Sequence, residues 1–133
     1  MTMTYSEQFS KKFFARLLKP EGRNPVRDRA SSLDLVFDLL DQKENKNFLI
    51  VETGCMRADH TPPGSPLALG DDGASTYIFD DFINYYDGEV LSVDIKQANV
   101  DYANEHTSER TTAYCRDSVG FLWDLDPRDK IDF

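Results

Sequence analysis

Histidine, cysteine and tryptophan are scarce in this chain, with two, two and one among 133 residues. The two thiols, Cys55 and Cys115, lie in separate segments and make no disulfide framework, which points to a reducing, cytoplasmic setting. His60 and His106 have no second-ligand spacing, so a zinc site is not expected. His60 reads as a lid residue and His106 as a helix-end residue. No apolar run approaches the roughly 18 residues of a membrane span. The opening MTMTYSEQFSKKFF lacks the apolar block and small-residue cleavage site of a secretion signal. Cations are also outnumbered, 15 against 24 acids, for a net charge of −9. An acidic surface repels phosphate backbones and anionic lipid, so neither nucleic acid nor a membrane is the expected partner. The basic stretch KKFFARLLKPEGRNPVRDR, residues 11 to 29, is the exception. It reads as a solvated helix face and loop, with a local anion or partner contact as the alternative.

What is present suits one domain with one core: 40% of residues are hydrophobic, and nine Phe and six Tyr supply its bulk. Thr4-Tyr5-Ser6-Glu7 has the form of a capping box. Phe9, Phe13 and Leu17 then recur at helical spacing, with Phe14 and Leu18 alongside, until Pro20. Polar residues 21–30 read as a connection. Ser31 or Ser32 caps a second helix with the apolar face Leu33, Val36, Phe37 and Leu40. From Phe48 the pattern alternates. A strand runs from Phe48 to Glu52, and a long loop carries His60-Thr61-Pro62-Pro63-Gly64 and Gly70-Asp71-Asp72-Gly73. A helix spans about Ala74 to Tyr86, and Asp87-Gly88 signals a turn. There follow a strand over 89–95, a helix over 97–106, a strand over 110–115, and a helix capped by Ser118 and closed by Pro127. Lys130 to Phe133 resembles the opening of a fourth strand.

Strands alternating with helices imply right-handed crossovers and a parallel sheet. The expectation is therefore an α/β, Rossmann-like doubly wound sheet over residues 47–133, with its first three to four parallel strands, behind an N-terminal helical extension over 1–46. Ligands of such sheets bind outside the carboxyl ends of the strands, where strand order reverses. Three strand tips meet there: Glu52-Thr53-Gly54, Val93-Asp94-Ile95 and Cys115-Arg116-Asp117-Ser118. Gly54 lets backbone approach a ligand. The two oxygens of Asp94 suit vicinal ribose hydroxyls, and Ile95 offers an apolar surface to an adenine face. Asp117 can accept from an adenine amino group, and the Ser118 N–H can donate to a ring nitrogen. Against these stand plainer readings. Glu52 is then a solvated strand end, Ser118 a helix cap, Asp117 a complement to the helix dipole and Cys55 a small packing residue. Trp123 reads as core or interface.

The order E-T-G, V-D-I, R-D-S resembles the class I S-adenosylmethionine-dependent methyltransferases, most of all the branch with macrocin O-methyltransferase-like and cephalosporin-hydroxylase-like proteins. The resemblance covers residues 48 to 133. It implies methyl transfer from S-adenosylmethionine to a small-molecule acceptor, most often at oxygen. Glu52, Thr53 and Gly54 would line the methionine and ribose side, Asp94 would hold the ribose, and Ile95, Asp117 and Ser118 the adenine. Arg57 would clamp the methionine carboxylate or else pair with Glu52 or Asp59. The helix opening at Ser75 would receive that carboxylate on free N–H groups or be capped by Asp72 or Ser75 itself. The loop from Cys55 to Gly73 places Gly54 and Asp94 40 positions apart, where roughly 20 is usual in the related dinucleotide fingerprint, and a long loop there suits a lid. The resemblance also implies further strands and an acidic residue beyond Phe133, so the chain is expected to be the cofactor half of a longer enzyme. The catalytic base, any divalent metal, the acceptor and a homo-oligomeric state stay open. A nicotinamide-dependent oxidoreductase is the first rival, disfavoured because Gly-x-Gly-x-x-Gly is missing after the first strand. A non-catalytic binding or assembly module is the second.

Overall fold

The computed structural model describes residues 3–14, 29–58 and 75–133. The chain folds as α1 (Tyr5–Phe9) running into a π-helical turn (Ser10–Phe14), then α2 (Arg29–Asp41) and β1 (Asn47–Thr53). These are followed by α3 (Ser75–Tyr85), β2 (Asp87–Asp94), α4 (Gln97–Glu105), β3 (Thr111–Cys115) and α5 (Ser118–Asp124). The three strands form a parallel sheet in the order β1-β2-β3, flanked by helices, which is a Rossmann-like α/β arrangement with an N-terminal helical segment.

The sheet has two unequal faces. Phe48, Ile50 and Glu52 alternate inward along β1. In register beside them stand Val90 and Ser92 of β2, then Thr111 and Ala113 of β3. This face carries the core. Tyr5, Phe9 and Phe13 meet Leu33, Phe37 and Leu40 of α2 and Ile78, Phe79, Phe82 and Ile83 of α3 over Phe48, Ile50 and Val90. Phe82 sits at its centre, with ring centroids 5.0 Å from Tyr5, 5.1 Å from Phe37 and 5.0 Å from Phe48. Each such side chain contributes about 1.5–3 kcal/mol by leaving water. Val100 and Ala103 of α4 pack with Ala113, Cys55 and Met56 in a second cluster on the same face. Helix α5 packs on the opposite face, with Phe121 against Tyr114 at 5.5 Å.

Local signals act as their chemistry dictates at the N-terminus. Thr4 Oγ1 accepts from the Glu7 N–H at 3.3 Å, and the Thr4 N–H donates to Glu7 at 3.0 Å. Asp41, at the end of α2, accepts from the N–H groups of Tyr5 (3.0 Å) and Ser6 (2.8 Å), so one carboxylate satisfies free donors of α1 and joins the two helices. The α-helical winding ends at Phe9 rather than continuing at the same spacing, and Phe13 reaches the core from the π turn. Leu17, Leu18 and Pro20 lie outside the described residues, as do His60 and the loop motifs over 60–73. The second helix begins at Arg29, ahead of the expected serine cap.

Two other expectations are corrected. Asp87-Gly88 does not form a separate turn but opens β2, paired with Asn47 and Phe48. Gly88 has φ of +120°, and a Cβ there would stand 1.9 Å from the Phe48 carbonyl oxygen. Close strand approach, not chain reversal, demands this glycine. Residues 130–133 do not form a regular fourth strand, yet they lie along the outer edge of β1. Asp132 N–H donates to Leu49 O and Val51 N–H to Phe133 O, both at 2.8 Å. Asp132 also accepts from the Leu49 N–H at 2.9 Å and pairs with Lys43 at 2.6 Å. That segment satisfies edge groups that would otherwise be bare. Trp123, expected in a core or interface, is 87% exposed in this chain.

The two glycines with positive φ among the described residues make different demands. Gly54 has φ of +84° with nothing within 4 Å of an added Cβ. Gly54→Ala should therefore lose only about 1 kcal/mol in urea unfolding, the cost of a left-handed L-residue. Gly88→Ala should lose at least about 3 kcal/mol, because strain and a backbone clash add there. Equal losses for the two variants would contradict this account.

Candidate functional site

The tips of the three strands are extended by backbone bonding beyond the regular ladder. The Gly54 N–H donates to Val93 O at 2.6 Å, and the Arg116 N–H donates to Asp94 O at 3.0 Å. Parallel pairing thereby brings the residues after β1, β2 and β3 side by side. They bound a hollow of about 300 Å³ lined by Thr53, Gly54, Val93, Asp94, Ile95, Arg116 and Ser118. Five of the expected site residues, Thr53, Gly54, Asp94, Ile95 and Ser118, are thus gathered in one place. Ile95 is 74% exposed and presents an uncovered apolar surface there. A second hollow of about 510 Å³ shares Asp94 and is lined also by Arg57, Ala58, Lys96, Ala98 and Asn99.

Asp94 is half-buried. Its Oδ1 accepts from the Lys96 N–H at 2.9 Å, whereas Oδ2 has only long contacts with the Asn99 amide (3.4 Å) and the Cys55 thiol (3.8 Å). A carboxylate has roughly four acceptor positions, so this one keeps capacity for donors brought by a ligand. Cys55 itself is buried, and desolvation, reinforced by the charges of Asp94 and Glu52, pushes its thiol up to about 12. It stays protonated at neutral pH and is not an activated nucleophile.

Glu52 is placed differently from its neighbours. It is 8% exposed, lies on the core face and does not line the strand-end hollow. Its Oε1 accepts from Thr76 (2.5 Å) and Ser92 (2.8 Å), and Oε2 accepts from Ser75 (2.5 Å). Thr76 Oγ1 also accepts from the Met56 N–H at 2.9 Å. Glu52 therefore anchors α3, β2 and the turn after Gly54, and neither the solvated strand end nor a pairing with Arg57 describes it. Desolvation raises its pKa above the ordinary glutamate range, partly offset by the three hydroxyl donors. Ser75 is committed to Glu52. Gly73, Ala74, Asp72 and Asp59 lie outside the described residues.

No family model, curated protein or solved structure matches the chain. The site is therefore read from its own geometry. Asp117, expected on adenine, is the N-cap of α5: its side chain accepts from the Gly120 N–H at 2.7 Å. Ser118, expected as the cap, is the first helical residue and lines the hollow. The cap falls on Asp117 because the helix starts one position earlier than a Ser118 cap would set it. Arg57 is exposed at the second hollow rather than the first. Sequence reasoning gave no role to Arg116, which lines the first hollow and pairs with Asp124 at 2.6 Å. Its place in Cys115-Arg116-Asp117-Ser118, directly after a strand, was the available signal. Lys96 and Asn99 of the second hollow had no such signal, since the β2–α4 turn places them. Among the described residues, no group of three His, Cys, Asp or Glu side chains gathers to hold a metal, and no helix is long and apolar enough to cross a membrane.

Glu52 makes the fold pH-sensitive in a definite sense. A raised folded-state pKa means its share of stability is complete below the unfolded value, about 4.3, and is lost as pH rises through the folded value. Glu52→Gln should therefore gain stability relative to the parent chain as pH increases from about 4 to 8, by at most about 1.4 kcal/mol per pH unit. Urea unfolding of both chains across that range measures it. A difference independent of pH would show that Glu52 titrates like a solvated glutamate.

Proposed function

We propose that the strand-end hollow binds the nucleoside of S-adenosylmethionine and that the chain supplies the cofactor-binding part of a methyl-transfer enzyme acting on a small molecule. The observation that carries this reading is Asp94. Its carboxylate closes β2 with spare acceptor capacity, beside the open positive-φ turn at Gly54. These residues fit a nucleoside. Asp94 accepts from the vicinal ribose hydroxyls, the exposed Ile95 covers an adenine face, and Thr53 and Ser118 offer small polar groups at the rim. Open space above Gly54 leaves room for a chain leaving the ribose. Absence of Gly-x-Gly-x-x-Gly after β1 removes the backbone cradle that a pyrophosphate requires, which favours this cofactor over a dinucleotide.

Asp94, Ile95, Thr53 and Ser118 would hold the nucleoside, and the bound cofactor would supply a methyl group on a sulfonium for transfer to the acceptor. The contribution of this chain is binding and orientation. Strand ends held by the sheet ladder position Asp94 and Gly54 before the ligand arrives. Glu52 is too enclosed by its three hydroxyls to serve as a general base. The two free thiols accord with a reducing, cytoplasmic compartment.

Isothermal titration with S-adenosylhomocysteine tests the reading. Saturable binding is expected, weakened at least tenfold in Asp94→Ala, roughly 1.4 kcal/mol or more, with urea stability changed by less than about 1 kcal/mol because Asp94 is only half-buried. Binding of NAD in place of S-adenosylhomocysteine would favour an oxidoreductase. Binding of neither would favour an assembly module.

A further inference from the structure

We infer that the second hollow, beside Asp94, is an anion subsite in which Arg57 and Lys96 take a carboxylate or phosphate carried by a ligand. The hollow lies between the turn after β1, which supplies Arg57 and Ala58, and the first residues leading into α4, which supply Lys96, Ala98 and Asn99. Its two walls are fastened without either cation. The Ala58 N–H donates to Asn99 Oδ1 at 3.0 Å, and Asn99 Nδ2 reaches Asp94 at 3.4 Å. Arg57 and Lys96 are both exposed, and neither makes an ion pair among the described residues.

Charge makes this unusual. Acids outnumber bases 24 to 15 in the chain, and Lys12, Lys43, Arg110, Arg116 and Arg128 each hold an aspartate. Two cations without an ion pair among the described residues give one hollow a local excess of positive charge in a chain that is acidic as a whole. The guanidinium offers a planar fork for two oxygens, and the ammonium offers a point charge. Ala98, also in the lining, adds only a methyl group. Asp94, on the shared wall, repels an anion, which therefore sits at the Arg57 and Lys96 side while neutral hydroxyls approach Asp94. Each hollow thus selects a different part of the bound molecules.

Assigning a ligand that shares the nucleoside hollow rests on the proposed function, whereas the anion preference itself does not. The test uses the chain as it is, the double variant Arg57→Gln/Lys96→Gln, and Lys130→Gln as an exposed control. Probes are inorganic phosphate, S-adenosylhomocysteine and 5′-methylthioadenosine, which lacks the amino-acid carboxylate, each followed by calorimetric titration. The parent chain and the control should bind phosphate saturably, and the double variant at least tenfold more weakly. If the anion belongs to the nucleoside ligand, the double variant also loses affinity for S-adenosylhomocysteine but not for 5′-methylthioadenosine. If it belongs to a separate acceptor, both nucleosides bind unchanged while phosphate binding falls. Phosphate binding with no nucleoside binding leaves the subsite standing and removes the methyl-transfer reading. Equal phosphate affinity in parent and double variant, or no phosphate binding by the parent, overturns the subsite.

Discussion

One buried carboxyl group organises the carboxyl end of the sheet in this molecule. Glu52 stands where a run of apolar residues ends, and an unpaired charge at that depth would be severely destabilising. Three hydroxyls offset part of that cost: Ser75 and Thr76 from α3 and Ser92 from β2. Hydrogen bonds to a charged acceptor contribute about 1.5–3 kcal/mol each, more than most neutral contacts in the core. The Thr76 hydroxyl also accepts from Met56, and so carries the constraint outward to the turn that borders both hollows. Sheet, helix and site turn are consequently joined by one side chain that does not itself line the strand-end hollow.

The two acids near this end divide the work. Glu52 is enclosed and satisfied, whereas Asp94 sits two positions beyond Glu52's strand partner Ser92, half-buried and incompletely bonded. Their proximity has a consequence, since the Asp94 charge helps raise both Glu52 and Cys55. Concentrated negative charge would disfavour this end unless balanced. Arg116 on one hollow and Arg57 and Lys96 on the other provide that balance. Exposed charges of this kind contribute little to stability.

Much of the architecture was legible from periodicity. The apolar run Phe48 to Val51, and the helical spacing of Ile78, Phe79, Phe82 and Ile83, indicated the strand and helix that carry the main core. The strand, however, buries Phe48, Ile50 and Glu52 in alternation rather than both of its faces. The strand-tip residues Thr53, Gly54, Asp94, Ile95 and Ser118 were also legible, because parallel pairing forces consecutive strand ends together. What escaped were directions. Glu52 and Thr53 are neighbours in sequence, yet a strand's two-residue period sends one inward and the other to the hollow. Asp117 and Ser118 are both good caps, and only the start of α5 decides between them. Asp87-Gly88 has the composition of a turn, but the closeness of Phe48 gives that glycine its purpose.

The strongest physical support for a ligand-binding role lies in what the site does not need. Its floor is backbone held by backbone: the Gly54 N–H on Val93 O and the Arg116 N–H on Asp94 O prolong the sheet past its last regular pairs. Gly54 is oriented by its positive φ, with no side-chain contact required. The groups presented to solvent, Asp94, Ile95, Arg116 and Ser118, therefore have rigid origins and exposed or half-exposed ends. A purely structural strand end would turn its carboxylate onto the nearest helix, as Asp117 does. Asp94 instead gives one oxygen to the Lys96 N–H and leaves the other, with only long protein contacts, at the solvent-facing wall of the hollow.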